Sequence, residues 1–291
     1  MRADLTRRAP RSVLGPIHAL IVATVCAVSG CGDDRAREPD PRPAQATAEI
    51  QRFPGANLVL LSIDTLRRDH LPFYGYERPT APNLARLARE GIVFEDAVAA
   101  HTQTAPSHAS MMTGLHPGTH GILRNGMRLA ADARTLQQIL RARGWRTAAF
   151  LSGWTLGRET GLDVGFEVYR VPLNRERRRR PADETWPEVE SWLLERTPPE
   201  EPFFLFFHLY DPHFRYAPPE EYALRFLPPG TQLRPVDRDE IREPDRYRSL
   251  DEETRRHYVA RYDGEIAYAD HYVGQLFRTL EEIGVWDRTL V

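Results

Sequence analysis

An aspartate closing an apolar run and a threonine opening a small-residue segment are the side chains of this sequence best suited to chemistry. Asn57-Leu58-Val59-Leu60-Leu61-Ser62-Ile63 reads as a buried strand ending at Asp64. The carboxyl ends of strands are where open α/β sheets bind ligands. Forty positions on, Thr104-Ala105-Pro106-Ser107-His108 opens a tract of small residues. This pattern predicts a helix whose N-terminus, through unpaired N–H groups and its dipole, favours an anion. A metal-ligating carboxylate beside a hydroxyl nucleophile at such a helix start is what hydrolysis of a phosphate or sulfate ester requires. Capping of the helix by Thr104 or Ser107 is the alternative use of those hydroxyls.

Further candidates lie near the strongest apolar run, Phe203-Phe204-Leu205-Phe206-Phe207-His208-Leu209-Tyr210. His213 follows this strand in Tyr210-Asp211-Pro212-His213-Phe214-Arg215-Tyr216, while His208 lies inside it and reads as a satisfied core histidine. His108 either approaches substrate from the nucleophile helix or packs. His116 and His120 flank Pro117-Gly118 and read as turn residues, and Asn125 with Gly126 reads likewise. Asp263, Glu265 and Asp270 fall on a long helical pattern, where ion pairs and helix-end charges account for them. Arg175 and Arg177 to Arg180 form the one basic cluster, read as a solvated loop or, alternatively, as an attractor of anions.

The elements that must carry these residues alternate from Asn57 onward between apolar runs and helical periodicity. That is the signature of a mainly parallel sheet covered by helices. Thr80 is placed to cap a helix begun by Ala81-Pro82 and stopped by Gly91, and Ile92-Val93-Phe94 reads as a short strand. Thr135 to Arg143 is helical and Arg146 to Leu151 a buried strand. Glu184 to Arg196 is helical, with Pro187 as a candidate start, and Glu252 to Ile283 is a long helix ending at Gly284. Arg288-Thr289-Leu290-Val291 looks like the first half of another buried strand, so the sequence is expected to continue.

The 291 residues include 39 Lys and Arg against 41 Asp and Glu, a balance that gives no support for nucleic-acid binding. Every basic residue is Arg, so chemistry that needs a lysine ammonium is unavailable within these 291 residues. Arg7, Arg8 and Arg11 precede the apolar run Ala19 to Val28, which is short for a membrane span and is closed by small residues. Val28-Ser29-Gly30-Cys31 resembles a bacterial lipobox, which implies cleavage before Cys31 and lipidation of its thiol. The alternative is an ordinary signal peptide with a chance cysteine. The expected organisation is a lipoprotein signal peptide over 1–30, a disordered tether over 31–55 rich in charge and proline, and a catalytic domain over 56–291. With Cys26 removed and Cys31 lipidated, the exported domain has neither a disulfide nor a thiolate metal site.

The tract Leu61-Ser62-Ile63-Asp64-Thr65-Leu66-Arg67-Arg68-Asp69-His70, the tract Thr104 to Gly121, and Phe204 to Tyr216 together resemble the N-terminal half of the sulfatase family, within the alkaline-phosphatase-like superfamily. The resemblance covers about Asn57 to Val291. It implies an α/β/α sandwich with a mainly parallel central sheet, truncated at its C-terminal side, and a divalent metal (zinc, manganese or calcium). It also implies in-line attack on sulfur or phosphorus in a small-molecule, glycan or lipid ester. By the resemblance, Asp64 is a metal ligand, Thr104 the nucleophile and metal ligand, and His213 contacts the transferred group or the leaving oxygen. An Asp-His metal pair is expected after the strand begun at Leu290.

The sequence departs from the family pattern in four places. Thr65 stands where a second Asp is usual, and Thr104 replaces the formylglycine-forming Cys. His108 replaces an Arg, and Gly153-Trp154-Thr155 lacks a Lys and a His. These departures argue against formylglycine chemistry and resemble superfamily branches that keep an unmodified Thr. Transfer of a phospho-headgroup to another alcohol, or a non-catalytic surface-anchored binding role, are the alternatives.

Overall fold

A computed structural model describes residues 53–172, 179–195, 200–235, 237 and 243–291. The signal peptide, Cys31 and all but the last three residues of the expected tether lie outside them, as do Arg175, Arg177 and Arg178. Among the described residues no helix is long and apolar enough to cross a membrane. Residues 53–55 form a turn, with Ala56 N donating to Phe53 O, and lead into the first strand.

The sheet has the order β3-β2-β4-β1-β5, and its strands pair in parallel throughout. Strand β1 is Asn57–Ile63, β2 Arg146–Leu151, β3 Val168–Arg170, β4 Phe203–Leu209 and β5 Thr289–Leu290. Strand β4 is buried along its whole length because it is central and covered on both faces. Since side chains alternate, Phe203, Leu205, Phe207 and Leu209 enter one core with Val59 and Phe150, while Phe204 and Phe206 enter the other with Ala149 and Leu151. Helices close both faces, which confirms the expected α/β/α sandwich.

The first core is closed by α5 (Ala182–Leu194), through Trp186, Val189 and Trp192, and by α8 (Glu252–Glu282). The second is closed by α2 (Thr104–Thr113), through Ala105, Ala109 and Met112, and by Leu136 and Leu140 of α4 (Leu136–Arg141). Three shorter or peripheral helices complete the labels used below: α1 (Pro82–Glu90), α3 (Pro117–His120) and α6 (Glu220–Leu224), followed by α7 (Pro244–Ser249) before α8.

Several local expectations are corrected. Ile92-Val93-Phe94 forms no strand: Ile92 is 83% and Phe94 70% exposed, so this triplet has no sheet neighbour to pair with. Thr80 does not cap α1, because its hydroxyl donates to His70 O. The cap comes from α8 instead, where the Asp270 carboxylate accepts from Asn83 N and Leu84 N, each at 2.9 Å. Helix α5 starts at Ala182 with Pro187 inside it. Strand β5 pairs in parallel with Asn57 and Leu58, the start of the strand expected at this place.

Candidate active site

Strand alternation determines which side chains meet α2. Ser62 lies on the same face as Leu58 and Leu60, and His208 on the same face as Phe204 and Phe206. The parallel register sets Ser62 beside His208. Asp64 continues this face beyond the end of β1, its backbone N–H donating to Leu209 O at 2.9 Å. Asp64 therefore sits at the carboxyl edge of the two central strands, opposite the start of α2.

Thr104 is the first residue of α2, and its Oγ1 donates to Asp64 Oδ2 at 2.9 Å. Neither Thr104 nor Ser107 makes a capping bond. The amides at this end are mostly consumed: Ala105 N donates to Asn125 Oδ1, Pro106 has no N–H, and Ser107 N donates to Gln103 O. The expected row of free N–H groups is thus reduced to the Thr104 amide, and the helix dipole is the remaining attraction for an anion. Asn125 serves α2 rather than a turn.

His108 lies one helical turn after Thr104 and is buried. Its Nδ1–H donates to Thr104 O at 2.8 Å, which leaves Nε2 to accept from Ser62 Oγ at 2.8 Å. Burial first, and then the neighbouring His208 ring, push this imidazole down to about 4, so the ring is neutral. Both ring nitrogens are occupied by protein partners. Of the two expectations for His108, approach to substrate and packing, the geometry favours packing: it is a positioning residue that ties α2 to β1.

His208 was expected to be a satisfied core histidine, and it is not. The side chain is fully buried, and neither ring nitrogen has a hydrogen-bond partner. Nε2 lies 3.6 Å from Asp64 Oδ2, and the ring meets His108 edge-on at 5.0 Å. Burial alone would raise the Asp64 carboxyl, but the His208 imidazole, the Thr104 hydroxyl and His108 hold it below its ordinary value. Asp64 is thus held as a carboxylate, whose charge suits a cation. The signal for His208 was the two-residue alternation that places it on the Ser62 face.

His213 lies beyond β4, and no contact joins it to Asp64 or Thr104. Its ring stacks on Tyr210 at 4.2 Å, and Nδ1–H donates to Phe214 O at 2.8 Å, so Nε2 is the nitrogen left for a ligand. The loop that carries it is braced from behind. Arg179 donates to His213 O at 3.3 Å and to Arg215 O at 3.2 Å. Glu265 of α8 accepts from Ala217 N at 2.7 Å. Arg179 and Arg180 are therefore not solvated loop residues; Arg180 pairs with Glu188 at 2.5 Å. Gly153 allows the segment after β2 to approach closely, since a Cβ there would lie 2.7 Å from the Tyr210 ring.

The remaining acidic residues of α8 are structural, as expected. Asp263 gathers His70 Nδ1 (2.6 Å), Tyr76 OH (2.7 Å) and Arg78 Nη1 (2.7 Å). His120 packs, with Nε2 at 3.0 Å from Ser110 Oγ and Nδ1 accepting from Ile122 N.

Among the described residues no three His, Cys, Asp or Glu side chains gather as a complete metal site. Asp64 and Thr104 nonetheless converge as two hard oxygen donors, beside an imidazole nitrogen that no protein donor or acceptor satisfies. This donor set fits part of the coordination sphere of a divalent cation.

The chain was compared with known proteins. The sulfatase family model matches residues 56–291. The ulvan-active sulfatase of Formosa agariphila is 24% identical over 259 residues, covering 81% of this chain and 49% of its own length. The phosphonate monoester hydrolase of Agrobacterium radiobacter has the same fold, with a TM-score of 0.62, 22% identity, and coverage of 81% of this chain and 61% of its own. The C-terminal periplasmic domain of EcEptC from Escherichia coli, solved in a complex with Zn, is similar at a TM-score of 0.56 and 17% identity, covering 78% of this chain and 60% of its own. The chain thus spans about half the length of the ulvan-active sulfatase it matches.

Proposed function

Because the chain belongs to the sulfatase family, we propose that it hydrolyses a sulfate or phosphate ester with Thr104, kept as an unmodified threonine, as the nucleophile. The observation that carries this reading is the 2.9 Å hydrogen bond from Thr104 Oγ1 to Asp64 Oδ2 at the mouth of α2. A carboxylate held ionised by its neighbours fixes the orientation of the hydroxyl that donates to it.

Asp64 and Thr104 would together hold a divalent cation. When bound, such an ion lowers the pKa of the hydroxyl and offsets charge on the transferred group. Thr104 Oγ1, its proton passed to water, would form a bond to phosphorus or sulfur as the bond to the alcohol oxygen breaks in line with it; the alcohol leaves with a proton, and water later releases the group from Thr104. The α2 dipole favours the anionic group throughout. In its doubly protonated form His213, anchored through Nδ1, would donate its Nε2–H to the departing oxygen. His108 and Ser62 keep α2 in register with β1, and His208 supports the Asp64 carboxylate from beneath. We also propose an exported, lipid-anchored location through Cys31, supported by the Val28-Ser29-Gly30-Cys31 tetrapeptide.

The test is turnover of p-nitrophenyl sulfate, p-nitrophenyl phosphate and bis(p-nitrophenyl) phosphate by the intact protein, with and without a chelator. Hydrolysis of at least one ester, lost with the chelator and restored by a divalent cation, supports the proposal. Turnover that is indifferent to chelation removes the metal from it, and no turnover of any ester removes the hydrolase.

A further inference from the structure

We propose that Asp211 and Glu265 share a single proton, and that this pair, with Arg179, forms a clasp that positions His213 and opens when the proton is lost. The effect on turnover rests on the role proposed above for His213; the shared proton does not.

Asp211 lies in the loop after β4, and Glu265 lies on α8. Their carboxyl groups are in hydrogen-bonding reach of each other and nearly closed to water, the two residues being 3% and 1% exposed. Among the described residues Asp211 Oδ2 and Glu265 Oε2 have no partner. Two buried oxygens left unsatisfied are costly, and two adjacent carboxylates would add repulsion. One proton on Glu265, donated to Asp211, satisfies both. The pair then carries a single negative charge, balanced by Arg179, whose Nη1 lies 4.0 Å from Glu265 Oε1.

Other charged or titratable groups act on the pair without bonding its two orphaned oxygens. Arg261 lies one turn earlier on α8 and is drawn to Glu220 of α6 as well as to Glu265. The Tyr216 hydroxyl faces Glu265, and the Tyr272 hydroxyl faces Asp211. At the start of α5 the Ala182 amide is in reach of the Asp211 carboxyl, while Asp183 is exposed and Arg180 is held by Glu188.

The cluster grips the His213 loop at several points. Asp211 belongs to the loop, Arg179 donates to His213 O and Arg215 O, and Glu265 Oε1 accepts from Ala217 N. His213 is held between these attachments. Loss of the shared proton to water sets two carboxylates against one guanidinium, and parting the loop from α8 lets water reach both. Opening of the loop therefore releases one proton.

Hydrogen exchange of residues 210–217, read by mass spectrometry in the intact protein and in Glu265→Gln, tests the clasp. The Gln amide donates to Asp211 at every pH and still accepts from Ala217 N. Exchange in the parent relative to Glu265→Gln at the same pH should rise as pH increases above 4.5, by up to about tenfold per pH unit, the slope of one released proton. Asp211→Asn supplies a donor and removes a charge, so its ratio to Glu265→Gln should stay flat. A flat ratio in the parent overturns the clasp, and a rise that persists in Asp211→Asn overturns the sharing. The pH profile of kcat reads the positioning: the parent should lose kcat on the alkaline side before Glu265→Gln does. Identical alkaline limbs defeat the positioning of His213, whereas a rising exchange ratio without any turnover supports the clasp and defeats only the proposed reaction.

Discussion

Ser62 Oγ donates to His108 Nε2 at 2.8 Å, joining the end of β1 to the second turn of α2. This bond, with the one from His108 to Thr104 O, fixes the distance between the strand that ends in Asp64 and the helix that begins with Thr104. Ser62→Ala leaves a buried imidazole nitrogen unsatisfied and should cost about 1–3 kcal/mol of stability. It should lower kcat more than it raises KM, because it displaces the nucleophile rather than a binding surface. Urea unfolding and steady-state kinetics check both, and an unchanged midpoint of unfolding would contradict the linkage.

Asp211 and Glu265 are both buried, and no donor satisfies Asp211 Oδ2 or Glu265 Oε2. Burial, and then the Asp211 charge, push Glu265 well above its ordinary value near 4.5, so Glu265 keeps a proton that the unfolded chain has lost. Stability contributed by this group is therefore present below about pH 4.5 and declines as pH rises towards the folded value. Glu265→Gln mimics the protonated form and removes the decline. The melting temperature of the parent should fall relative to that of Glu265→Gln as pH rises above the ordinary value of 4.5. Parallel curves would show that Glu265 ionises normally in the fold.

Gly153 has no room for a side chain, since an added Cβ would meet the Tyr210 ring at 2.7 Å and His208 Cε1 at 3.3 Å. Gly153→Ala should cost about 1–3 kcal/mol through overpacking. It should also impair turnover, because Tyr210 is the ring on which His213 stacks. Normal thermal stability and normal kcat together would show that the segment shifts freely.

Mass spectrometry of the mature N-terminus tests the anchor. Cys31 is expected as the first residue carrying acyl chains, since stable attachment takes more than one chain. An unmodified Cys31 or cleavage elsewhere contradicts the lipoprotein reading.

The sheet was legible because β1, β2 and β4 are apolar runs bounded by turn residues, and covering helices leave such runs few alternatives. Asp64 and Thr104 were legible through their positions at element ends. His208 was hidden by the same apolar run that revealed its strand: a strand buried on both faces masks the alternation that aims His208 at Asp64. Ile92-Val93-Phe94 misled because apolar content alone does not supply a pairing neighbour. The Arg179 brace and the Asp211–Glu265 pair were illegible because each joins residues from separate elements, which only the folded chain brings together.

The central claim is that an unmodified Thr104 attacks the ester. The most direct measurement is acid-quenched mass spectrometry of the intact protein during turnover, with peptide mapping of the Thr104 segment and with Thr104→Ala and Thr104→Ser in parallel. The account predicts a transient phosphoryl or sulfuryl adduct on Thr104 and a kcat lowered at least about a thousandfold in Thr104→Ala. It also predicts measurable turnover in Thr104→Ser, where a hydroxyl remains. A formylglycine anywhere in the domain, an adduct on another residue, or undiminished turnover by Thr104→Ala would contradict it.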